Sequence, residues 1–145
     1  MHSAQDLIAI LDLSAHPEGG WFRETWRATA AADGRATSTA IIFLLQAEKR
    51  SHWHAVDADE IWVWQGGDPL ALHVASTGDE QPATTILGNN PEAGHSLNAV
   101  VPAAQWQAAE PLSGPHGYAL VSCIVAPGFD FGGFTLAPPG WKPGA

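Results

Sequence analysis

The chain has 145 residues, 46 % of them hydrophobic, and six Lys and Arg against fifteen Asp and Glu give a formal net charge of −9. That is the size of one domain, residues 1–145, apolar enough to bury its own core and to rule out a disordered chain. So few cations argue against binding to a phosphate backbone or an anionic membrane, so neither nucleic acid nor a membrane is an expected partner.

Ser3-Ala4-Gln5-Asp6 reads as a helix start, with Ser3 as N-cap and Asp6 reaching back to it, and Leu7, Ile8, Ile10 and Leu11 give residues 4–12 one apolar face. The N-terminus lacks the basic and apolar regions of a signal peptide, which makes cytoplasm the expected compartment. His16-Pro17-Glu18-Gly19-Gly20 breaks the helix. Trp21 to Arg27 then reads as a strand whose faces are Trp21/Arg23/Thr25/Arg27 and Phe22/Glu24/Trp26. Arg23 and Glu24, charged among large aromatics, suit either an ion pair on an edge strand or a ligand contact. Asp33-Gly34 signals a hairpin before Thr37 to Gln46, a strand whose second half is apolar on both faces.

The next stretch, Ser51 to Asp68, carries the chemistry. His52 and His54 stand at i and i+2, so in a strand they point to one face. Asp57-Ala58-Asp59 can turn the chain into a second strand, on which Glu60, Trp62 and Trp64 share a face. Two imidazoles and a carboxylate could therefore converge between indole walls. That set suits a divalent metal such as Zn, Fe, Mn or Ni, and equally proton transfer or sugar binding.

Further strands follow at Leu70–Ala75, with His73 exposed opposite the leucines, and at Ala83–Leu87. His95 reads as a solvated loop residue. Leu97–Val101, Trp106–Ala109, Tyr118–Ala126 and a final strand within Phe129–Leu136 complete the set, and the proline-rich 138–145 reads as a frayed tail. Cys123, the only cysteine, sits in an apolar run and reads as a small buried hydrophobe. Short strands broken by frequent turns after one helix predict an all-β sandwich, jelly roll or small barrel. Nucleotide-binding, serine-hydrolase and thiol-redox motifs are missing.

Laid out this way, the chain resembles a cupin, a double-stranded β-helix of the jelly-roll type. The first cupin motif maps onto His52, His54, Glu60 and Gly66, with a longer gap than usual before Glu60 and Gln46 in place of the preceding glycine. The second maps onto Pro102 to Gln107, with Ala104 for the glycine and Gln107 for the metal-binding histidine. More specifically it resembles the Cupin_5 (DUF985) group, through His16 to Thr25, Ser51 to His54, Asp59 to Trp62, Gly67 to Leu70, Val101-Pro102, Trp106 to Ala108 and Val125 to Phe131. Ala55-Val56-Asp57 departs from the group, which commonly has a basic residue after the second histidine.

The resemblance implies a cupin jelly-roll barrel with small-molecule chemistry inside. As an enzyme on a small polar or carbohydrate-like metabolite, it would use His54 and Glu60 for acid–base work. Trp62 and Trp64 would stack on the ligand, and Arg23 would hold a carboxylate or phosphate. In a metal-dependent form His52, His54 and Glu60 would be the ligands and Gln107 a weak fourth; an amide in place of an imidazole points to a metal loosely bound or absent. The alternative is a non-catalytic sensor or storage module using the same pocket. A homodimer is expected, because the doubly apolar strands at 40–45 and 120–125 exceed the needs of one small barrel.

Overall fold

Strand-forming runs fill most of the chain, and the computed structural model, which describes residues 1–145, folds them into two antiparallel sheets behind one short helix. The helix α1 spans Ala4–Ile10, and the strands are β1 (Ser14–Ala15), β2 (Trp21–Arg27), β3 (Thr39–Gln46), β4 (Ser51–Val56), β5 (Asp59–Gly67), β6 (Leu70–Ala75), β7 (Ala83–Leu87), β8 (Asn98–Val101), β9 (Trp106–Pro111), β10 (Tyr118–Ala126) and β11 (Phe134–Leu136). One sheet runs β1-β2-β3-β10-β5-β8 and the other β11-β4-β9-β6-β7. The all-β jelly-roll expectation holds. No helix is long and apolar enough to cross a membrane.

The predicted cap closes α1: the Ser3 hydroxyl accepts from the Asp6 amide at 3.1 Å, and the Ser3 amide donates to the Asp6 carboxylate at 3.0 Å. Through Leu7, Ile8 and Leu11 the helix covers Leu44, Leu120 and Tyr118 on the outer side of β3 and β10. Part of the double apolarity of those strands is therefore met by the chain's own helix.

Inside, the two ends of the barrel differ because their inward residues differ. At one end Phe43, Leu45, Trp62, Leu70, Leu72, Leu87 and Val121 interlock into the main core. Towards the other, the inward positions on β3, β4, β5 and β10 become Thr39, Ile41, His54, Val56, Glu60 and Val125. Smaller and polar side chains cannot fill that volume, and a cavity remains.

Three features depart from the expected layout. The strands β4 and β5 are no hairpin: the turn at 57–58 carries the chain from one sheet to the other, so β4 pairs with β9 and β11 while β5 pairs with β8 and β10. The face of β4 also switches midway. Ser51 lies opposite Ala109 and His54 opposite Gln107, so His52 and Trp53 together oppose Ala108 alone. Such a bulge reverses the inward–outward parity of the strand. The tail is packed instead of frayed. The Ala137 amide donates to Trp53 O at 2.9 Å, Trp141 lies edge-on to Trp53 and 4.6 Å from Trp106, and the Gly144 amide reaches Gly78 O at 3.0 Å.

Candidate functional site

The cavity between the sheets has a volume of about 500 Å³ and takes residues from both sheets and from the loop after β1. Four titratable side chains reach its floor: His16 and Glu18 from that loop, His54 from β4 and Glu60 from β5, all of them buried. Phe22, Phe129 and Phe131 form aromatic walls, and Glu24, Arg27, Arg35 and Asp130 stand at the mouth.

The loop is positioned by its backbone. The Gly19 amide donates to His16 O at 3.0 Å and the His52 amide to Glu18 O at 2.7 Å, tying the loop to the start of β4. The Glu18 amide donates to His16 Nδ1 at 3.1 Å, so that nitrogen is an acceptor and the ring proton of neutral His16 sits on Nε2. His54 has the other tautomer: its Nδ1–H donates to the His52 carbonyl at 2.7 Å, which leaves the Nε2 lone pair facing Glu18 Oε2 at 3.4 Å. Glu18 Oε2 also accepts from the Ser51 hydroxyl, and Glu18 Oε1 lies 3.3 Å from His16 Nδ1. The His16 Nδ1 lone pair is taken up by the Glu18 amide, but the His54 Nε2 lone pair faces a Glu18 oxygen directly, an arrangement that calls for a proton on Glu18 or on His54.

Burial sets the protonation. It pushes the Glu18 carboxyl up to about 7, against the pull of His16 and Ser51. It pushes Glu60 up to about 7 as well, against the pull of His54 and with the Glu18 carboxyl adding to the rise. The same desolvation lowers both His16 and His54. Cys123 is buried beside Glu60, and burial and the two carboxyls hold its thiol well above its ordinary value, so it is no nucleophile. Glu60 is oriented by a relay in which Trp62 Nε1 donates to Gln107 Oε1 at 2.9 Å and Gln107 Nε2 donates to Glu60 Oε1 at 2.9 Å.

Of the residues expected at the site, His54 and Glu60 meet at the cavity floor. His52 does not: the bulge turns it to the outer side of the sheet, where its Nε2 lies 3.0 Å from Pro138 O. Arg23 is exposed and donates to Leu11 O at 3.4 Å. A second bulge, between Glu24 and Trp26, reverses the parity of β2, so Arg27 reaches the cavity mouth in its stead. Trp62 and Trp64 do share the inner face of β5 but pack into or against the closed core, with Trp64 Nε1 donating to Asp68 O at 3.2 Å, and neither lines the cavity. Gln107 acts through Glu60. His73 is half-buried on the outer face between Thr84 and Glu110, and His95 accepts from the Asn90 amide. Sequence reasoning missed His16 and Glu18. The signal available was a histidine and an acid flanking a proline before a glycine pair, within the longest run shared with the Cupin_5 group.

The residues present do not fit the metal site expected from the H-x-H motif. His52 points away, both polar atoms of the Gln107 amide are engaged, and no three His, Cys, Asp or Glu side chains converge as one ion requires.

Comparison with known proteins places this geometry in context. The family model Cupin_5, described as Cupin superfamily (DUF985), matches residues 5–137. A hypothetical protein from Leishmania major shares 33% identity over 97% of this chain and 90% of its own, with a TM-score of 0.86. A protein from Shewanella oneidensis is likewise 33% identical, over 94% of this chain and 85% of its own, with a TM-score of 0.86. Oxalate decarboxylase from Bacillus subtilis is 12% identical, covering 87% of this chain and 30% of its own with a TM-score of 0.61, a likeness of fold alone. No curated protein matches the chain.

Proposed function

We propose, for a chain that belongs to the Cupin_5 (DUF985) family of the cupin superfamily, a proton-transfer enzyme acting on a small polar or carbohydrate-like metabolite held in the cavity between the sheets. The observation that carries this is the couple formed by His54 and Glu18: a buried imidazole with its Nε2 lone pair aimed at a buried carboxyl pushed up to about 7. One proton shared by such a pair near neutrality can be given to or taken from a ligand at little cost. His54 Nε2 is the base and Glu18 the acid beside it. Glu60, fixed by the Gln107 amide and also pushed up to about 7, supplies a second acid across the floor. Phe22, Phe129 and Phe131 wall the cavity and exclude water, and they stand where a ligand would stack, the part that the sequence assigns to the indoles of Trp62 and Trp64.

The test is deuterium exchange. Sugars, sugar phosphates and small hydroxy- and keto-compounds are incubated in D2O with the protein and followed by NMR. The expected result is uptake of deuterium at one carbon of one compound, lost in His54→Ala while circular dichroism stays native. Ligand-induced thermal shifts with no exchange by the wild type would instead make this a binding or storage module.

The chain is also proposed to pair with a second copy of itself. Beyond the area that α1 covers, Trp26, Ala40, Ile124, Ile61 and Val100 lie opposite one another in register across β2, β3, β10, β5 and β8. Trp26 and Val100 are each 58% exposed and Ile124 37%. A flat apolar row of this kind is self-complementary about a two-fold axis. Light scattering at micromolar concentration should report a dimer and Trp26→Asp a monomer; a wild-type monomer would overturn the pairing.

A further inference from the structure

The floor of the cavity is short of hydrogen-bond donors. Glu18, Glu60 and His54 Nε2 all present acceptors there, while most nearby donors are committed, the Ser51 hydroxyl to Glu18, the Gln107 amide to Glu60 and the Glu18 amide to His16, which leaves only the His16 Nε2–H and the Thr39 hydroxyl against them. No cationic side chain is free to balance the two carboxyls. Arg27 grips Glu24 through Nε and Nη2 at 3.2 and 2.6 Å, and Arg35 grips Asp57 at 3.0 and 2.7 Å. Both arginines are further tied to the backbone of the segment that carries the aromatic walls, Arg27 to Phe129 O and Arg35 to Gly128 O.

Resting on the reading of this cavity as the ligand site, we infer that the inner end of its ligand is an organic ammonium, a primary amine, and that Glu18 and Glu60 select it over a carboxylate or phosphate. An ammonium brings three N–H donors and no acceptor, the complement of what the floor offers. It also supplies the missing positive charge, so both carboxyls can ionise around it. A carboxylate brings only acceptors and like charge. The walls agree with the floor, because the faces of Phe22, Phe129 and Phe131 are attractive to a cation. A compact metal ion lacks this fit, since it needs donors converging on one point and these do not converge.

Benzylamine, benzyl alcohol and benzoate carry one ring and differ in the head group, so calorimetric titration at neutral pH compares the heads alone. Benzylamine should bind at least about tenfold more tightly than benzyl alcohol, with benzoate not binding. Glu18→Gln and Glu60→Gln should each cut benzylamine affinity about tenfold and shrink its preference over benzyl alcohol; either variant suffices if the other fails to fold. Equal binding of all three, a preference for benzoate, or no binding of benzylamine up to about 10 mM overturns the inference. So does stoichiometric uptake of Zn2+ or Mn2+ that excludes benzylamine. The two proposals fail separately. His54-dependent exchange on a compound without an amine, with benzylamine unbound, sinks this inference and spares the proton-transfer reading. Carboxyl-dependent benzylamine binding with no exchange on any compound does the reverse.

Discussion

Gly19→Ala is expected to cost about 3 kcal/mol or more of stability and to lower Tm by about 6–12 °C. Two effects add at this position. Its φ of +105° is a conformation that side-chain-bearing residues rarely adopt, which alone costs on the order of 1 kcal/mol or more. A Cβ there would also stand 2.3 Å from the Arg50 carbonyl oxygen, a backbone atom that cannot move aside without disturbing the start of β4. Gly34→Ala separates the two effects. Gly34 has a φ of +84° but nothing within 4 Å of an added Cβ, so only the conformational cost of about 1 kcal/mol applies. Urea denaturation of both variants measures the difference, and equal losses would mean that the Arg50 contact is not the constraint. The surviving folded fraction of Gly19→Ala should also lose ligand binding, because the same turn places His16 and Glu18.

How far the site could be read from the residues depends on what each inference required. The helix and most of the strands needed only local pattern: a capping pair at Ser3 and Asp6, alternation along β5 and β6, and glycine or proline between them. Cys123 likewise needed only its apolar neighbours. The facing of His52 needed strict alternation to persist, and a single extra residue broke it at 52–53 in β4; in β2 alternation holds through Arg23, which faces out between Phe22 and Glu24, and the extra residue near Thr25 turns Arg27 inward instead of Trp26. Nothing in the composition of either segment announces a bulge, since the bulge is a compromise between one strand and partners distant in sequence. Alternation puts Glu60, Trp62 and Trp64 on one face of β5, and that face is the inner one. Which end of the barrel they fill is decided by how two sheets close on each other, information that no single strand carries. His16 and Glu18 were hidden for a different reason: a proline and two glycines show where regular structure stops, not what the loop then approaches.

Glu60→Gln should stabilise the protein at about pH 8 relative to about pH 5 by about 3 kcal/mol compared with the wild type. The folded protein holds the Glu60 carboxyl at about 7, whereas its ordinary value is 4.5. Between those values the folded state keeps a proton that the unfolded chain has released. The stability from Glu60 is therefore full below about 4.5 and is lost as pH rises through 7, at about 1.4 kcal/mol per unit of displacement. Glutamine has the same shape, still accepts from the Gln107 amide, and has no charge to desolvate, so the variant escapes this loss. His54 does not blur the contrast. Burial lowers it, so stability is lost as pH falls through its ordinary value of 6.5, and Glu60 partly offsets that lowering. On the acid side Glu60 is itself protonated in the folded protein, so its replacement leaves His54 there much as it was while the alkaline side improves. Glu18 and His16 titrate in both proteins and largely cancel in the comparison. Urea denaturation of the two proteins at each pH provides the measurement. Parallel pH profiles would mean that water or a counter-ion reaches Glu60 and solvates it, and the floor would then lack the dry, undercompensated acidity on which both the shared proton and the choice of a cationic ligand depend.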